Sequence, residues 1–246
     1  MQWRLTEDVA VWLREALDPT RPTAKEPNSM STTTLETLPD SSSGEAVVAG
    51  QAPRLRVLVV DDDDWLRNRV CHVVEVESGF RLAGVVESVE KAMWIAEHQP
   101  VDMAVIAHSA RSRSGVWLCR ELKRSLTPPA VVICSAYPDA VLTARCVVAE
   151  ADALVSIYDC DDELAGVLER VARGVRVLPA VSPRVGAMLH ERLDPAEHAI
   201  FSMLLAGLPA SDVARGLRMS RAELESRRST LLGKLETLPP ASGMRY

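Results

Sequence analysis

Four consecutive aspartates, Asp61–Asp64, directly follow the apolar run Leu55–Val60. The run is typical of a buried strand, and α/β sheets bind ligands at the carboxyl ends of their strands. Carboxylates supply the oxygen ligands that a hard cation such as Mg²⁺ prefers. Because like charges are crowded there, we expect one of these aspartates to have a raised pKa. A residual acidic loop at the sheet edge is the simpler interpretation of the cluster.

A second group of chemically useful residues lies on a predicted basic helix near the C-terminus. Its buried stripe is formed by leucines at helical spacing, namely Leu224, Leu231, Leu232 and Leu235. The other positions near its start are expected to face outward, and they are Arg221, Glu225, Ser226, Arg227 and Arg228. A basic helix start after a tight helix-turn-helix is what reading of the DNA major groove requires. A small three-helix bundle with a solvated basic face is the alternative.

The remaining reactive side chains form no recognisable site. The 5 cysteines include no Cys-x-x-Cys pair, which favours reduced, buried thiols in a cytoplasmic protein. His72 and His98 have no metal-ligand spacing with any cysteine. Phosphorylation is conceivable in one loop, but an ordinary polar loop explains its residues more simply; they are His108, Ser109, Ser112 and Ser114. We therefore expect neither an enzyme nor a metal or cofactor site.

Composition restricts the partners of the chain. The net charge of −6 over 246 residues means that any affinity for nucleic acid must be local. No run approaches the ~20 apolar residues of a membrane span, so we expect no membrane partner and a cytoplasmic location.

The middle of the chain predicts a parallel sheet with helices on both faces. Five strand-like runs alternate with helical patterns: Leu55–Val60, Arg81–Val86, Asp102–Ala107, Ala130–Cys134 and Ala153–Ile157. Such alternation is typical of a doubly wound α/β fold. Residues 175–192 then connect this part to the helical part as a linker.

The helical part begins with a start signal, Asp194-Pro195-Ala196-Glu197. The first helix has its apolar residues at Ile200, Met203 and Leu204, and Gly207 is its expected stop. The second helix, 210–217, has Val213, Ala214 and Leu217 on its inner face. Ser220-Arg221-Ala222-Glu223 is a second capping box, which opens the basic helix.

Both ends of the chain have a tail-like composition. Residues 18–53 are rich in Ser, Thr, Pro and Gly and predict a disordered tail, and 237–246 a flexible C-terminus. Met1–Leu17 could form an amphipathic helix over 3–17 that docks on a protein partner. Translation that begins at Met30 is the other interpretation, and the sequence leaves both open.

The helical part resembles the LuxR-type helix-turn-helix of NarL/FixJ-family response regulators. The residues that fall on this family's motif are Leu193, Pro195, Glu197, Gly207, Leu208, Ala214, Leu217, Ser220, Lys234 and Leu235. The resemblance implies that 221–235 is the recognition helix. Together with the outward basic residues, it implies a DNA-contact set of Arg218, Arg221, Leu224, Glu225, Ser226, Arg227, Arg228 and Lys234.

The chain departs from this family at several positions. Arg218 stands where the family has glycine in the turn, which costs roughly 1–2 kcal/mol if the backbone there is left-handed. Ala222 and Glu225 stand where lysines are usual. Pro239-Pro240 prevents the helix from continuing, so we do not expect the family's fourth, dimer-forming helix.

The α/β part, Leu55–Gly174, resembles the receiver domain of two-component response regulators. In receivers, the acidic residues at the positions of Asp61 and Asp62 help bind Mg²⁺ beside a phosphoacceptor aspartate. The position of that aspartate is occupied here by Ala107. The phosphate-holding lysine falls on Ile157 and the switching aromatic on Leu154, and only the hydroxyl at Ser135 remains. The combined loss implies that aspartyl phosphorylation is not used and that Mg²⁺ binding is poor.

These observations predict a flavodoxin-like (βα)5 receiver domain over 54–174 and a helix-turn-helix domain over 193–236. We expect a phosphorylation-independent transcriptional regulator that binds double-stranded DNA. The receiver surface 138–173 is the expected homodimer interface. The alternative is a protein-interaction adaptor that modulates another regulator, as a heterodimer partner, without reading DNA itself.

Overall fold

The described part of the computed structural model comprises residues 54–108, 115–158 and 160–238. The predicted N-terminal helix and tail, the loop serines Ser109, Ser112 and Ser114, and residues 239–246 lie outside it. No helix in this part is long and apolar enough to cross a membrane.

Five strands and nine helices follow one another in the described residues. In chain order they are β1 (Leu55–Val60), α1 (Asp64–Val76), β2 (Phe80–Val86), α2 (Val89–His98), β3 (Met103–His108), α3 (Gly115–Lys123), β4 (Ala130–Ser135), α4 (Ala140–Ala149), β5 (Ala153–Ser156), α5 (Cys160–Ala172), α6 (Pro183–Arg192), α7 (Pro195–Leu205), α8 (Ala210–Gly216) and α9 (Arg221–Glu236). All five predicted strands are confirmed, and half of their ends are shifted by one residue.

The strands form one parallel sheet in the order β2-β1-β3-β4-β5. The predicted doubly wound, flavodoxin-like fold is therefore confirmed. Its central strands are buried on both faces, as shown by the completely covered residues Val57, Leu58, Ala104, Val131 and Ile133. Such strands read as continuous apolar runs rather than alternating ones because helices cover both faces.

Short polar residues start the helices that follow the strands. The Asp63 carboxylate accepts hydrogen bonds from the amides of Trp65 (2.9 Å) and Leu66 (3.1 Å) at the start of α1. The Asp139 carboxylate accepts one from the Leu142 amide at 2.7 Å, at the start of α4. These caps satisfy amides that have no partner inside the helix, and they fix where the loops at the carboxyl edge of the sheet end.

Helix α4 has unusually few exposed residues for a helix outside a sheet. Eight of its ten residues are buried, in the sequence AVLTARCVVA. One face lies on the sheet, and the other packs against α9, α7 and α6. A helix that is apolar all round is typical of burial on both sides, and α4 is thus the element that joins the receiver-like part to the helical part.

The segment expected to be a linker contains helix α6. Ser182 caps it with an acceptor for the Val185 amide at 3.4 Å, and Pro183 occupies its first turn. Val185 and Leu189 are buried, one helical turn apart. This Ser-Pro start and apolar pair were the sequence signal for the helix, and the expectation of a plain connector was wrong.

Candidate functional site

A cleft of about 950 Å³ opens at the carboxyl ends of β1, β3 and β4. We call it the strand-end cleft. Its walls also include the start of α4 and the last turn of α9. Lining residues from the sheet edge are Asp61, Asp62, Ala107, His108, Ser135 and Ile157. All five residues of the predicted degenerate phosphorylation site, Asp61, Asp62, Ala107, Ser135 and Ile157, are therefore brought together here.

Ala107 occupies the end of β3, in register with Cys134 of β4. Its carbonyl oxygen lies so close to Gly115 that a Cβ on that glycine would approach it to 2.8 Å. Any larger residue at 115 would therefore force β3 and α3 apart. Close packing against β3 therefore requires glycine at 115, and Ala107 beside it lines the cleft with a methyl group.

Asp61 is a buried carboxylate at the floor of the cleft, with 5% of its surface exposed. Its burial raises the pKa of this group from 3.8 to about 6; the Asp63 amide, which donates to Oδ1 at 2.9 Å, opposes the rise, and the charges of Asp62 and Asp63 add to it. One aspartate of the cluster thus has a raised pKa, as expected, but burial and not the crowding of like charges is the largest cause.

The residues of the cleft do not fit the Mg²⁺ ion that receivers hold. Such an ion needs several oxygen ligands, and Ala107 contributes a methyl group where the third carboxylate would be. Across the described residues, no three His, Cys, Asp or Glu side chains are grouped to hold a metal ion. We therefore assign no step to a metal here.

His108 lies beside Ala107, at the end of β3. Burial lowers the pKa of its imidazole to about 4, and the nearby Arg145 charge lowers it further, while Asp139 opposes this. The ring is therefore neutral at physiological pH. Its Nδ1 atom is buried and has no hydrogen-bond partner among the described residues.

The helix-turn-helix is formed by α7, α8 and α9, as predicted. The capping box is complete at α7: the Glu197 amide donates to Asp194 at 2.8 Å, and the Asp194 amide donates to Glu197 at 2.9 Å. Gly207, with a φ of +86°, terminates α7. Arg218 has a φ of +53°, so the turn is left-handed and the expected strain applies.

The start of α9 is capped by one bond of the predicted box. The Ser220 hydroxyl accepts from the Glu223 amide at 3.1 Å. The Glu223 carboxylate turns along the helix to Arg227 instead, at 3.7 Å. The leucine stripe is confirmed, since Leu224, Leu231, Leu232 and Leu235 are all buried.

Arg228 does not face outward as expected. It is 2% exposed and is inserted between α9 and α4. Its guanidinium donates to the carbonyl of Val148 (2.6 and 3.0 Å) and pairs with Glu225 (2.7 Å) and Glu150 (2.9 Å). The expectation was wrong because helical spacing identifies a second face on α9 but not the neighbour that covers it.

Further polar contacts surround Arg228. Glu150 also accepts from the Ala210 amide at 2.8 Å, at the start of α8. On the opposite side, Arg120 of α3 donates to Ser229 at 2.6 Å and to Glu225 at 3.4 Å. Arg221 donates to the Arg124 carbonyl at 3.2 Å. We call this set the docking interface, and it ties the start of α9 to the receiver-like part.

Three other residues of the expected DNA-contact set are engaged inside the protein, and one of them, Glu225, belongs to the docking interface. Leu224 is 1% exposed and belongs to the helix-turn-helix core, so it does not present a surface to DNA. Lys234 forms an ion pair with the buried carboxylate of Glu197, which links α9 to the start of α7. Arg218 and Ser226 are exposed, and Arg227 is partly exposed beside Asp194.

The predicted dimer surface 138–173 includes α4, whose outer face is covered by α7 and α9. The same helix therefore serves as the platform for docking. Leu238, in the segment expected to be flexible, is buried at 6% exposure and lines the strand-end cleft. Both differences follow from packing between distant segments.

Comparison with known proteins supports the same division of the chain. Residues 57–157 match the response regulator receiver domain family. No curated protein matches the sequence. The solved structure of an RcsB–DNA complex is similar at 15% identity and a TM-score of 0.50, over 76% of this chain and 94% of that one.

Two further structures are similar at lower scores. RcsB from Salmonella typhimurium has 14% identity and a TM-score of 0.47, over 76% of this chain and 94% of that one. The receiver domain of a NarL response regulator from Mycobacterium tuberculosis has 18% identity and a TM-score of 0.46, over 50% of this chain and 99% of that one. The family match covers the receiver-like part, and the similarity to the RcsB–DNA structure shows that the chain shares its fold, a receiver-like sheet followed by a helix-turn-helix.

Proposed function

We propose that this chain is a DNA-binding transcriptional regulator whose activity does not depend on aspartyl phosphorylation. The replacement of the acceptor carboxylate by the Ala107 methyl group carries the second half of the proposal, because a methyl group cannot accept a phosphoryl group. Ile157, at the position of the phosphate-holding lysine, supports the same conclusion. The first half, DNA binding, rests on the helix-turn-helix formed by α7, α8 and α9.

DNA binding is supported by the residues that α9 and its turn offer to solvent. Arg218 and Arg221 are exposed, and Arg227 is partly so, all near the start of the helix. Helix starts of this kind contact base edges and phosphates in the major groove. The structural neighbour RcsB is described in complex with DNA, and we propose that this chain binds DNA too.

The docked position of α9 implies that DNA reading requires its release. Arg228, Glu225 and Ser229 face the receiver-like part and cannot contact DNA while they do so. Release would also expose the apolar outer face of α4. We propose that this face, within 138–173, then pairs with the same face of a second chain, so that undocking and dimerisation occur together.

DNA selection from random fragments tests the proposal. We compare the full-length protein with the variant Glu150→Asn. This change removes a docking contact on the receiver side and leaves the residues of α9 unchanged. Residue 150 has a left-handed backbone, with a φ of +61°, which asparagine adopts readily. Both should enrich one inverted-repeat motif. The variant should bind it about tenfold more tightly for each 1.4 kcal/mol by which docking is weakened. Glu97→Gln, on the exposed side of α2 and outside 138–173, is the control.

The salt dependence of binding identifies the reading helix. Arg221→Ala and Arg227→Ala should each reduce the slope of log affinity against log salt by about 0.9 for every phosphate that the arginine neutralises. An unchanged slope would exclude this helix start as the reader.

Acetyl phosphate with Mg²⁺ should leave the wild-type protein unlabelled, and a base-labile phosphoryl group on it would contradict phosphorylation independence.

The adaptor function remains the second candidate, and the burial of Arg228 favours it. A regulator whose central basic residue serves an internal contact is less suited to DNA than its relatives. If neither the wild type nor Glu150→Asn enriches any motif, the adaptor becomes the better account.

A further inference from the structure

We propose that the strand-end cleft is a binding site for a small organic cation with an apolar body, such as an arylalkylamine. At about 950 Å³ it lies within the size range of small-molecule pockets. Its walls come from both the receiver-like part and the helix-turn-helix. The binding itself does not rest on the proposed DNA function.

The charges of the lining residues select for a cation. Five acidic residues line the cleft, Asp61, Asp62, Asp63, Asp139 and Glu236, against one guanidinium, on Arg145. The Asp63 and Asp139 carboxylates also cap the starts of α1 and α4. Arg145 lies 2.9 Å from Glu236 and so compensates that group first. The acidic excess remains at the sheet edge, where Arg67 pairs with Asp64 and donates to the Asp61 carbonyl at 2.8 Å. An anion would meet repulsion at this floor.

Apolar side chains form the opposite walls. Leu66 of α1 and Val141 and Leu142 of α4 line the receiver side, and Leu235 and Leu238 line the helix-turn-helix side. Each of the five is buried, at 0–8% exposure. A hydrated metal ion would gain nothing from these walls, whereas an aryl or alkyl group would be removed from water there.

Two polar groups supply anchors for such a ligand, the carboxylate of the buried Asp61 and Nδ1 of the half-buried His108. Asp61 is 5% exposed, and its carboxylate accepts a hydrogen bond from the Asp63 amide at 2.9 Å. His108 Nδ1 is buried without a partner among the described residues. The neutral imidazole accepts a hydrogen bond at one ring nitrogen, and an ammonium group donates to both kinds of acceptor. The two residues follow or terminate β1 and β3, which are adjacent strands.

The probe set is phenethylamine, 2-phenylethanol and phenylacetate, which share one aryl-alkyl shape and differ in charge. Titration of the full-length, ¹⁵N-labelled protein should show saturable shifts for the amine at residues of the cleft walls. We expect the amine to bind about tenfold more tightly than the alcohol, which corresponds to one ion pair of about 1.4 kcal/mol. Phenylacetate should not bind.

Variants locate the binding. Asp61→Asn keeps the shape of the floor and should weaken phenethylamine about tenfold, whereas Asp212→Asn, on α8 outside the cleft, should change it less than twofold. Equal binding of amine and alcohol, or no effect of Asp61→Asn in a folded variant, would overturn the proposal. The proposal would also be overturned if Mg²⁺ alone produced the same chemical-shift changes. Failure to bind DNA in a separate assay would leave this result untouched.

Discussion

The strand-end cleft and the docking interface treat buried charge in opposite ways. In the docking interface the buried Arg228 has a carbonyl and two carboxylates within 3.0 Å. In the cleft the buried Asp61 accepts an amide, but its neighbouring charges are mostly of its own sign, and the pKa of the carboxyl group is raised to about 6. One region compensates its ion fully, and the other compensates it only in part.

The difference lies in how completely each buried charge is matched. In the cleft, Asp62 and Asp63 add charge of the same sign beside Asp61, while Arg67 and the Asp63 amide oppose it. The docking interface, by contrast, is built from charges that match one another. We infer that matched charge favours the docked arrangement of α9, whereas the acidic edge of the cleft keeps an excess of negative charge.

Arg228→Ala is the change with the largest expected effect, because it removes the compensated ion of the docking interface. It leaves Glu150 and the Val148 carbonyl without their cation and Glu225 with Arg120 alone, and removal of one partner from a buried ion pair costs about 3–5 kcal/mol. We expect α9 to separate from α4 rather than retain these groups uncompensated. Hydrogen exchange of the α4 amides should therefore become faster, and the protein should expand in solution scattering.

Arg227→Ala is the matched control for that variant. Arg227 is one residue away on the same helix, but its partners Asp194 and Glu223 belong to the helix-turn-helix itself. An exposed pair of this kind contributes at most about 1 kcal/mol, and exchange at α4 should not change. Unaltered exchange in both variants would mean that the apolar face of α4, not Arg228, holds the two parts together.

Asp61→Asn sharpens the other side of the comparison. A carboxyl group whose folded pKa is raised from 3.8 to about 6 lowers stability once it ionises, at higher pH. The full effect is at most about 3 kcal/mol, and screening at the open cleft reduces it to about 1–2 kcal/mol. Asn should therefore stabilise the protein by that amount at about pH 8.

The gain from Asp61→Asn should shrink as pH falls through about 6 and disappear below about 4, where the aspartate is protonated in both states. Urea unfolding at a series of pH values measures it. Asp212→Asn corrects for the general removal of one negative charge. A gain that is constant with pH would show that Asp61 titrates normally.

Most of the fold could be predicted because its determinants are local. The strands are short apolar runs bounded by polar residues, and the caps at Asp194 and Ser220 and the stop at Gly207 each depend on a few neighbouring positions. Helix α6 was missed although Ser182-Pro183 and the Val185/Leu189 pair carry the same kind of signal. The segment resembled a connector because its apolar face is only two residues wide.

The candidate sites were less predictable because they depend on contacts between distant residues. Arg228 and Val148 are 80 positions apart, and no spacing rule on α9 distinguishes Arg228 from Arg227. A partial signal existed in α4, whose apolar residues occupy all faces and therefore require a second covering layer. The cleft likewise needs α9 beside the sheet edge, which the order of elements alone does not specify.

Arg218→Gly provides a reference change outside both regions, with the smallest expected effect. Arg218 is exposed and has a φ of +53°, which glycine adopts without strain. Relief of that strain, less the greater freedom of glycine in the unfolded chain, should stabilise the protein by about 0.5–1 kcal/mol. Arg215→Gly removes the same charge from helix α8 and should destabilise by about 1 kcal/mol. A higher melting temperature for Arg218→Gly and a lower one for Arg215→Gly would establish strain in the turn. Both residues lie outside α4 and the cleft. The hydrogen exchange of α4 and the pKa of Asp61 should therefore be the same in both variants as in the wild type.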